Sequence, residues 1–296
     1  MSTLQATREQ VSLRRLAADY LSLTKPSIVG LLVATALAAM VAAAHGRPHL
    51  LAMVAVILGG SLAAGGAHAI NCWYDRDIDL RMARTRRRPI PDGRIPGWHA
   101  LLLGIVFNLI AFAVLWAWAN LLAAALAALA TLIYVFVYTI WLKRSTPQNI
   151  VIGGAAGAIP PLVGWAAVTG SLDLTALSLF GVIFLWTPPH FWALAQLLAR
   201  DYRQAGVPMM PVVASTASTK RQSVAYAVAT VAVSLVPYFT GDAGWVYLAG
   251  ALLLGVGLVG VSILDLRGRR WTAPLFAYSI AYLAALFTVL ALATLI

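Results

Sequence analysis

Residues 50–79 read LLAMVAVILGGSLAAGGAHAINCWYDRDID. From Leu50 to Tyr74 no Asp, Glu, Lys or Arg interrupts the run, and then three aspartates follow in quick succession at Asp75, Asp77 and Asp79. An uncharged stretch of this length matches the roughly 20 apolar residues a helix needs to cross a bilayer core. The abrupt return of charge marks where that helix meets water. A helix of this kind needs others around it, because lipid offers no partner for a polar group such as Asn71 or His68.

The rest of the chain supplies them. Further apolar segments of similar length begin near Ile28, His99, Asn120, Ile150, Leu174, Ser223, Ala243 and Thr272. The chain is 61% hydrophobic and 10% charged, where an ordinary soluble domain carries roughly 25% charged residues. The expected fold is an all-α integral membrane protein, with about nine transmembrane helices in a single bundle of two related halves around a central cavity. Residues 1–26 are expected to form a polar, amphipathic cytoplasmic lead-in, and residues 27–296 the transmembrane domain.

Charge tests the count. With the N-terminus inside, the inner segments are 1–26, 74–97, 142–148, 199–221 and 265–271. They contain every Lys and Arg except Arg47, while the opposite loops carry Arg47, Asp173 and Asp242. This is the positive-inside pattern. It accounts for the net charge of +11 without a nucleic-acid partner, and it places the C-terminus outside. The single cysteine, Cys72, excludes a disulfide framework and any zinc site needing several cysteines. No cleaved signal peptide is expected, because Arg8, Glu9, Arg14, Arg15 and Asp19 interrupt the start of the chain.

Asn71, Asp75 and Asp79 are spaced i, i+4, i+8, so they share one helix face if the helix continues past Tyr74. Two carboxylates and an amide oxygen are hard ligands suited to Mg²⁺, which commonly completes its shell with phosphate oxygens. The run Arg81-Met-Ala-Arg84-Thr85-Arg86-Arg87-Arg88-Pro89 follows directly. Guanidinium forks suit phosphate, so carboxylates followed by arginines have the composition a diphosphate site requires. The plainer alternatives are a solvated helix end for the aspartates and topogenic charge for Arg86 and Arg87.

The pattern Asn71-x3-Asp75-x3-Asp79 with Arg84-Thr85-x2-Arg88-Pro89 resembles the UbiA-type intramembrane prenyltransferase superfamily. Longer stretches resemble its heme O synthase (protoheme IX farnesyltransferase) branch: Thr24-Lys25-Pro26, WYDRDID at 73–79, LKRSTPQNIVIGGAAGAIPPLVGW at 142–165, WTPPHFWALA at 186–195 and DYRQAGVPMMPVV at 201–213. The resemblance covers most of the chain. It implies Mg²⁺-dependent transfer of farnesyl from farnesyl diphosphate to a vinyl group of heme B, with water addition, giving heme O for terminal oxidases. Heme B is then a substrate and not a cofactor. The implied setting is a bacterial inner membrane, with heme A synthase or oxidase assembly factors as partners.

The resemblance also implies roles for particular residues. Asn71, Asp75, Asp79 and Asp201 would hold metal. Arg84, Arg88, Lys143, Arg144 and Asn149 would bind diphosphate. Only Asp201, beside Tyr202, stands where relatives acting on aromatic acids carry a fuller second acidic motif. His190 follows Pro188-Pro189, which deny the backbone two N–H donors inside an apolar segment. It could ligate heme iron, act as a base, or bond to a freed carbonyl. A transporter for an anionic lipid or porphyrin would share the basic loops but would not need the Asn–Asp–Asp stripe.

Overall fold

A computed structural model describes residues 3–295, with side chains from residue 12 onward. Residues 1, 2 and 296, and the side chains of 3–11 in the expected lead-in, lie outside the described part.

The lead-in is a helix, α1 (Thr3–Leu23). Nine described helices are long and apolar enough to cross a membrane, and the protein is an all-α, multi-pass integral membrane protein. They are α2 (Pro26–Ala43), α3 (Leu50–Tyr74), α5 (Gly97–Trp118), α6 (Leu121–Ser145), α7 (Asn149–Thr169), α8 (Leu174–Leu197), α10 (Thr216–Phe239), α11 (Trp245–Arg267) and α12 (Arg269–Ala293). Two short helices, α4 (Arg76–Arg81) and α9 (Ala199–Ala205), follow α3 and α8 and pack against each other.

Local chemistry sets the boundaries. Asn120 divides α5 from α6: its Oδ1 accepts from the Ala123 backbone N–H at 2.9 Å, and its Nδ2 donates to the Ala166 carbonyl at 2.6 Å. Asp173 and Ser215 cap α8 and α10 in the same way. The largest departure from expectation is α10, which starts at Thr216 and not near Ser223. Its polar first turns read as loop, but Lys220 is buried there, bound to Asp265 at 2.9 Å. The two prolines at 188 and 189 do not end α8, which runs through them to Leu197.

Small residues bring the helices together, as membrane bundles require. α3 meets α5 at Gly66 and Gly104, where a Cβ on Gly104 would come within 2.6 Å of the Gly66 carbonyl oxygen. α2 meets α7 at Gly164, where a Cβ would strike the Ala36 carbonyl. Around these contacts the bundle leaves one central cavity of about 400 Å³, lined by α2, α3, α6, α7 and α8.

Candidate functional site

The stripe survives the end of α3. Asp75 joins α3 to α4, yet its N–H still reaches the Asn71 carbonyl at 2.9 Å and its carbonyl receives the Asp79 N–H at 2.8 Å. The four-residue ladder is continuous, so Asn71, Asp75 and Asp79 stay on one side, and all three are buried.

Each is met by a cation. Asn71 Oδ1 accepts from Lys25 Nζ at 2.9 Å. Asp75 Oδ2 accepts from Lys143 Nζ and from Asn71 Nδ2, the latter at 2.7 Å. Arg88 Nη1 donates to both Asp79 oxygens, at 3.1 and 2.8 Å. Arg144 forks onto Asp77 at 2.8 and 2.7 Å, with its Nη2 3.6 Å from Asp75 Oδ1. Arg84 lines the cavity with no carboxylate partner among the described residues. The set Lys25, Arg84, Arg88, Lys143 and Arg144 therefore outnumbers Asp75, Asp77 and Asp79, a positive surplus that suits an anion.

Burial and pairing move the pKa values outside the spans. Desolvation pulls the Lys25 ammonium down to about 8. The hydrogen bond from Arg144 holds the Asp77 carboxyl at about 2. Burial pushes the Tyr202 phenol up to about 12.

Away from this mouth the cavity turns apolar and aromatic. Tyr134 and Tyr138 stack with centroids 5.6 Å apart, and the Tyr134 hydroxyl meets His68 Nδ1 at 3.1 Å. Leu32, Ala36, Val56, Ala67 and Val163 line the depth. Gly153 leaves room for the Tyr138 ring, and a Cβ on Gly157 would point into open space. The C-terminal half of α6, Ile133–Leu142, is a π-helix. Such turns are uncommon and gather at functional sites.

The UbiA prenyltransferase family profile matches residues 32–286. The chain belongs to the UbiA prenyltransferase family. It is 53% identical over 287 residues to a protoheme IX farnesyltransferase of Gloeobacter violaceus, covering 95% of this chain and 94% of that one. It is 52% identical over 276 residues to one of Roseiflexus sp., covering 92% of this chain and 52% of the relative. The chain thus spans about half the length of the Roseiflexus relatives it matches. In fold it is similar to a solved UbiA homologue from Archaeoglobus fulgidus bound to DMAPP and Mg²⁺, with TM-score 0.65, 18% identity, and coverage of 92% of this chain and 99% of that one.

Against the roles that UbiA resemblance implies, the structure gathers Asn71, Asp75, Asp79, Arg84, Arg88, Lys143 and Arg144 at one mouth, with Tyr202 in the cavity wall. Three residues fall elsewhere. Asn149 is fully buried at the start of α7 and does not line the cavity; its Nδ2 donates to the Thr146 carbonyl at 2.7 Å. Asp201 does not line the cavity either, because α9 turns Tyr202 inward in its place. His190 faces α12, stacked between Trp186 and Phe276, with Nδ1 2.7 Å from Ser279 Oγ. Its partner is a side chain of another helix and not a carbonyl freed by the prolines.

The four expected metal residues do not form a ready-made acidic cage. Among the described residues no three His, Cys, Asp or Glu side chains group to hold an ion, because basic side chains answer the carboxylates. The donor set nonetheless fits Mg²⁺: Asn71 Oδ1 faces the cavity beside Lys25, and buried Asp75 Oδ1 accepts no hydrogen bond. A cation that borrows phosphate ligands needs little more.

Lys25, Tyr134, Tyr138 and Thr139 are site-lining or site-bound residues that sequence reasoning left unassigned. Lys25 sits at φ 51°, a left-handed conformation rare outside glycine, just before Pro26. A lone cation at the N-terminal end of an apolar span was the available signal for it. The π-helical register that presents the other three has no counterpart in the apolar pattern.

Proposed function

We propose that the protein transfers the farnesyl group of farnesyl diphosphate to a vinyl group of heme B, with addition of water, making heme O. The carrying observation is the cavity itself, which joins a mouth of surplus positive charge to an apolar, aromatic-lined depth. That shape suits a diphosphate with a hydrocarbon tail. The choice of heme as acceptor is supported by the names of relatives at about 50% identity.

In this reading Asn71, Asp75 and Asp79 hold Mg²⁺ at the mouth, and Arg84, Arg88, Lys143, Arg144 and Lys25 surround the diphosphate. Bound Mg²⁺ would neutralise charge on the phosphate oxygens. The cationic side chains stabilise the charge that grows on the leaving oxygen as the allylic C–O bond breaks, which is electrostatic catalysis by groups already in place. The apolar depth holds the prenyl chain and keeps water from the reacting carbon. Tyr134 and Tyr138 offer ring faces to an allylic cation. The vinyl π-electrons form the new C–C bond, and water adds to the resulting cation and loses a proton, leaving a hydroxyethyl-farnesyl arm. Tyr202 closes the wall. Asp201, Asn149 and His190 carry no chemical step.

The same reading places the protein in a bacterial cytoplasmic membrane. Residues 1–26, the mouth and both short helices lie inside, residues 27–296 form the transmembrane domain, and the C-terminus lies outside. Heme A synthase and terminal oxidase assembly factors are the proposed partners.

The test is to incubate membranes carrying the protein with heme B, farnesyl diphosphate and Mg²⁺ and read the masses of the extracted hemes. A hydroxyethyl-farnesyl heme that disappears with chelator is the expected result. Unchanged heme from correctly inserted protein overturns the acceptor.

A further inference from the structure

Asn71 can serve a cation only if its amide oxygen, and not its nitrogen, faces the cavity. Two neighbours hold the nitrogen away: Asn71 Nδ2 donates to Asp75 Oδ2 at 2.7 Å and to Thr139 Oγ1 at 3.2 Å. Asp75 is itself assigned to the metal, so its hold on the amide weakens when a cation draws on its oxygens. Thr139 has no such second duty. It is fully buried and does not line the cavity.

The Thr139 hydroxyl has one proton, and that proton is committed. Oγ1 donates to the Tyr134 carbonyl at 2.7 Å, and a carbonyl can only accept. Toward Asn71 the hydroxyl is therefore an acceptor, and it takes an N–H and rejects the amide oxygen. The geometry depends on the π-helix. In an α-helix a threonine hydroxyl reaches a carbonyl three or four residues back. Here it reaches the one five residues back, in the same wide register by which the Lys143 N–H reaches the Tyr138 carbonyl.

We propose that Thr139 is a positioning residue that fixes the Asn71 amide with Oδ1 toward the cation, through a hydroxyl polarised by the Tyr134 carbonyl. The inference rests on the metal role given to Asn71 above. It separates hydroxyl from shape: Thr139→Val keeps the volume and loses the acceptor, while Thr139→Ser keeps the acceptor and loses a methyl.

The experiment uses the full chain in lipid nanodiscs with Mn²⁺ as the probe and inorganic diphosphate present, reading free Mn²⁺ by electron paramagnetic resonance. Asn71→Ala is the reference for loss of the ligand. Thr139→Val is expected to weaken Mn²⁺ binding by about 10- to 100-fold, the usual cost of removing a partner that orients a ligand. Thr139→Ser is expected to bind within about threefold of wild type, on the same scale. Turnover by Thr139→Val should recover as Mg²⁺ is raised, with unchanged thermal unfolding. Equal binding by wild type and Thr139→Val overturns the proposal and leaves the metal reading standing. Loss in Thr139→Ser as deep as in Thr139→Val also overturns it, because packing would then be the cause. Absence of Mn²⁺ binding by wild type overturns the metal reading and the proposal with it. If Thr139→Val does not insert, Thr139→Ala takes its place under the same criteria.

Discussion

Two buried lysine–aspartate pairs lie in this bundle, and they differ in what surrounds them. Asp75 pairs with Lys143 and Asp265 with Lys220, each carboxylate is 1% exposed, and each keeps one oxygen without a hydrogen bond. Lys220 and Asp265 tie α10 to α11, and Thr272 of α12 closes the pair with a hydrogen bond of 2.7 Å. No second cation pairs with Asp265 among the described residues, and the pair does not line the cavity. Around Asp75 stand Lys143, Arg144 and the amide of Asn71, with Lys25, Arg84 and Arg88 close by in the same cavity mouth. The Asp265 pair is neutral and closed, while the Asp75 cluster is positive and open. A buried ion pair by itself is weak evidence of function, since it can equally fix how helices dock. Uncancelled charge facing a cavity is the stronger sign.

Substitutions can break this contrast or sharpen it. Asp75→Asn has the largest expected effect, a loss of turnover of about a thousandfold, with membrane insertion and thermal unfolding little changed. Heme-product mass per mole of folded protein measures it, and near-wild-type turnover would remove the distinction between the two pairs.

Lys220→Met should do the reverse. It leaves Asp265 buried without its partner, at a cost of about 3 kcal/mol, while turnover of the surviving folded protein is retained. Thermal unfolding in detergent reads the loss, and Lys220→Met with Asp265→Asn should recover most of it. A loss of turnover in the folded single variant would move the Asp265 pair into the functional class.

Arg88→Lys is smaller. Lysine keeps the charge but cannot fork, so it loses the double contact with Asp79 and planar contact with phosphate. The KM for farnesyl diphosphate should rise about tenfold, with kcat less affected. Steady-state kinetics at saturating Mg²⁺ checks it.

Asp77→Asn is the smallest. Its pair with Arg144 is half exposed, and such pairs contribute about 1 kcal/mol or less. The folded carboxyl titrates near 2, below its ordinary value of 3.8. Its contribution is therefore complete above about 4 and lost as pH falls toward 2. The difference in unfolding midpoint between wild type and variant should stay constant from pH 7 to pH 5. A difference that changes over that range would assign the titration to another group.

Much of this molecule is legible in the chain alone. The nine spans follow from run length and from the gathering of every lysine and arginine but Arg47 into alternate loops, because the cost of charge in hydrocarbon acts on composition before any contact forms. The Asn71–Asp75–Asp79 stripe follows from helical periodicity, which persists through the α3–α4 junction because the backbone ladder does. The start of α10 was less legible, since Lys220 reads as loop until Asp265 on another helix is brought beside it.

Tertiary structure decided which polar residues face the cavity. His190 and Tyr138 are both polar side chains on apolar spans, but α8 turns the first toward Ser279 of α12 and the π-helix turns the second inward. Asp201 and Tyr202 are neighbours, and the setting of α9 chose the tyrosine. The acceptor role of the Thr139 hydroxyl depends on where its one proton goes, and that depends on a carbonyl five residues back. The sequence could determine what the membrane enforces on any chain, because solvent acts on each residue by type. It could not determine rotation about a helix axis or the direction of a hydrogen bond, because those are set by neighbours far away in the chain.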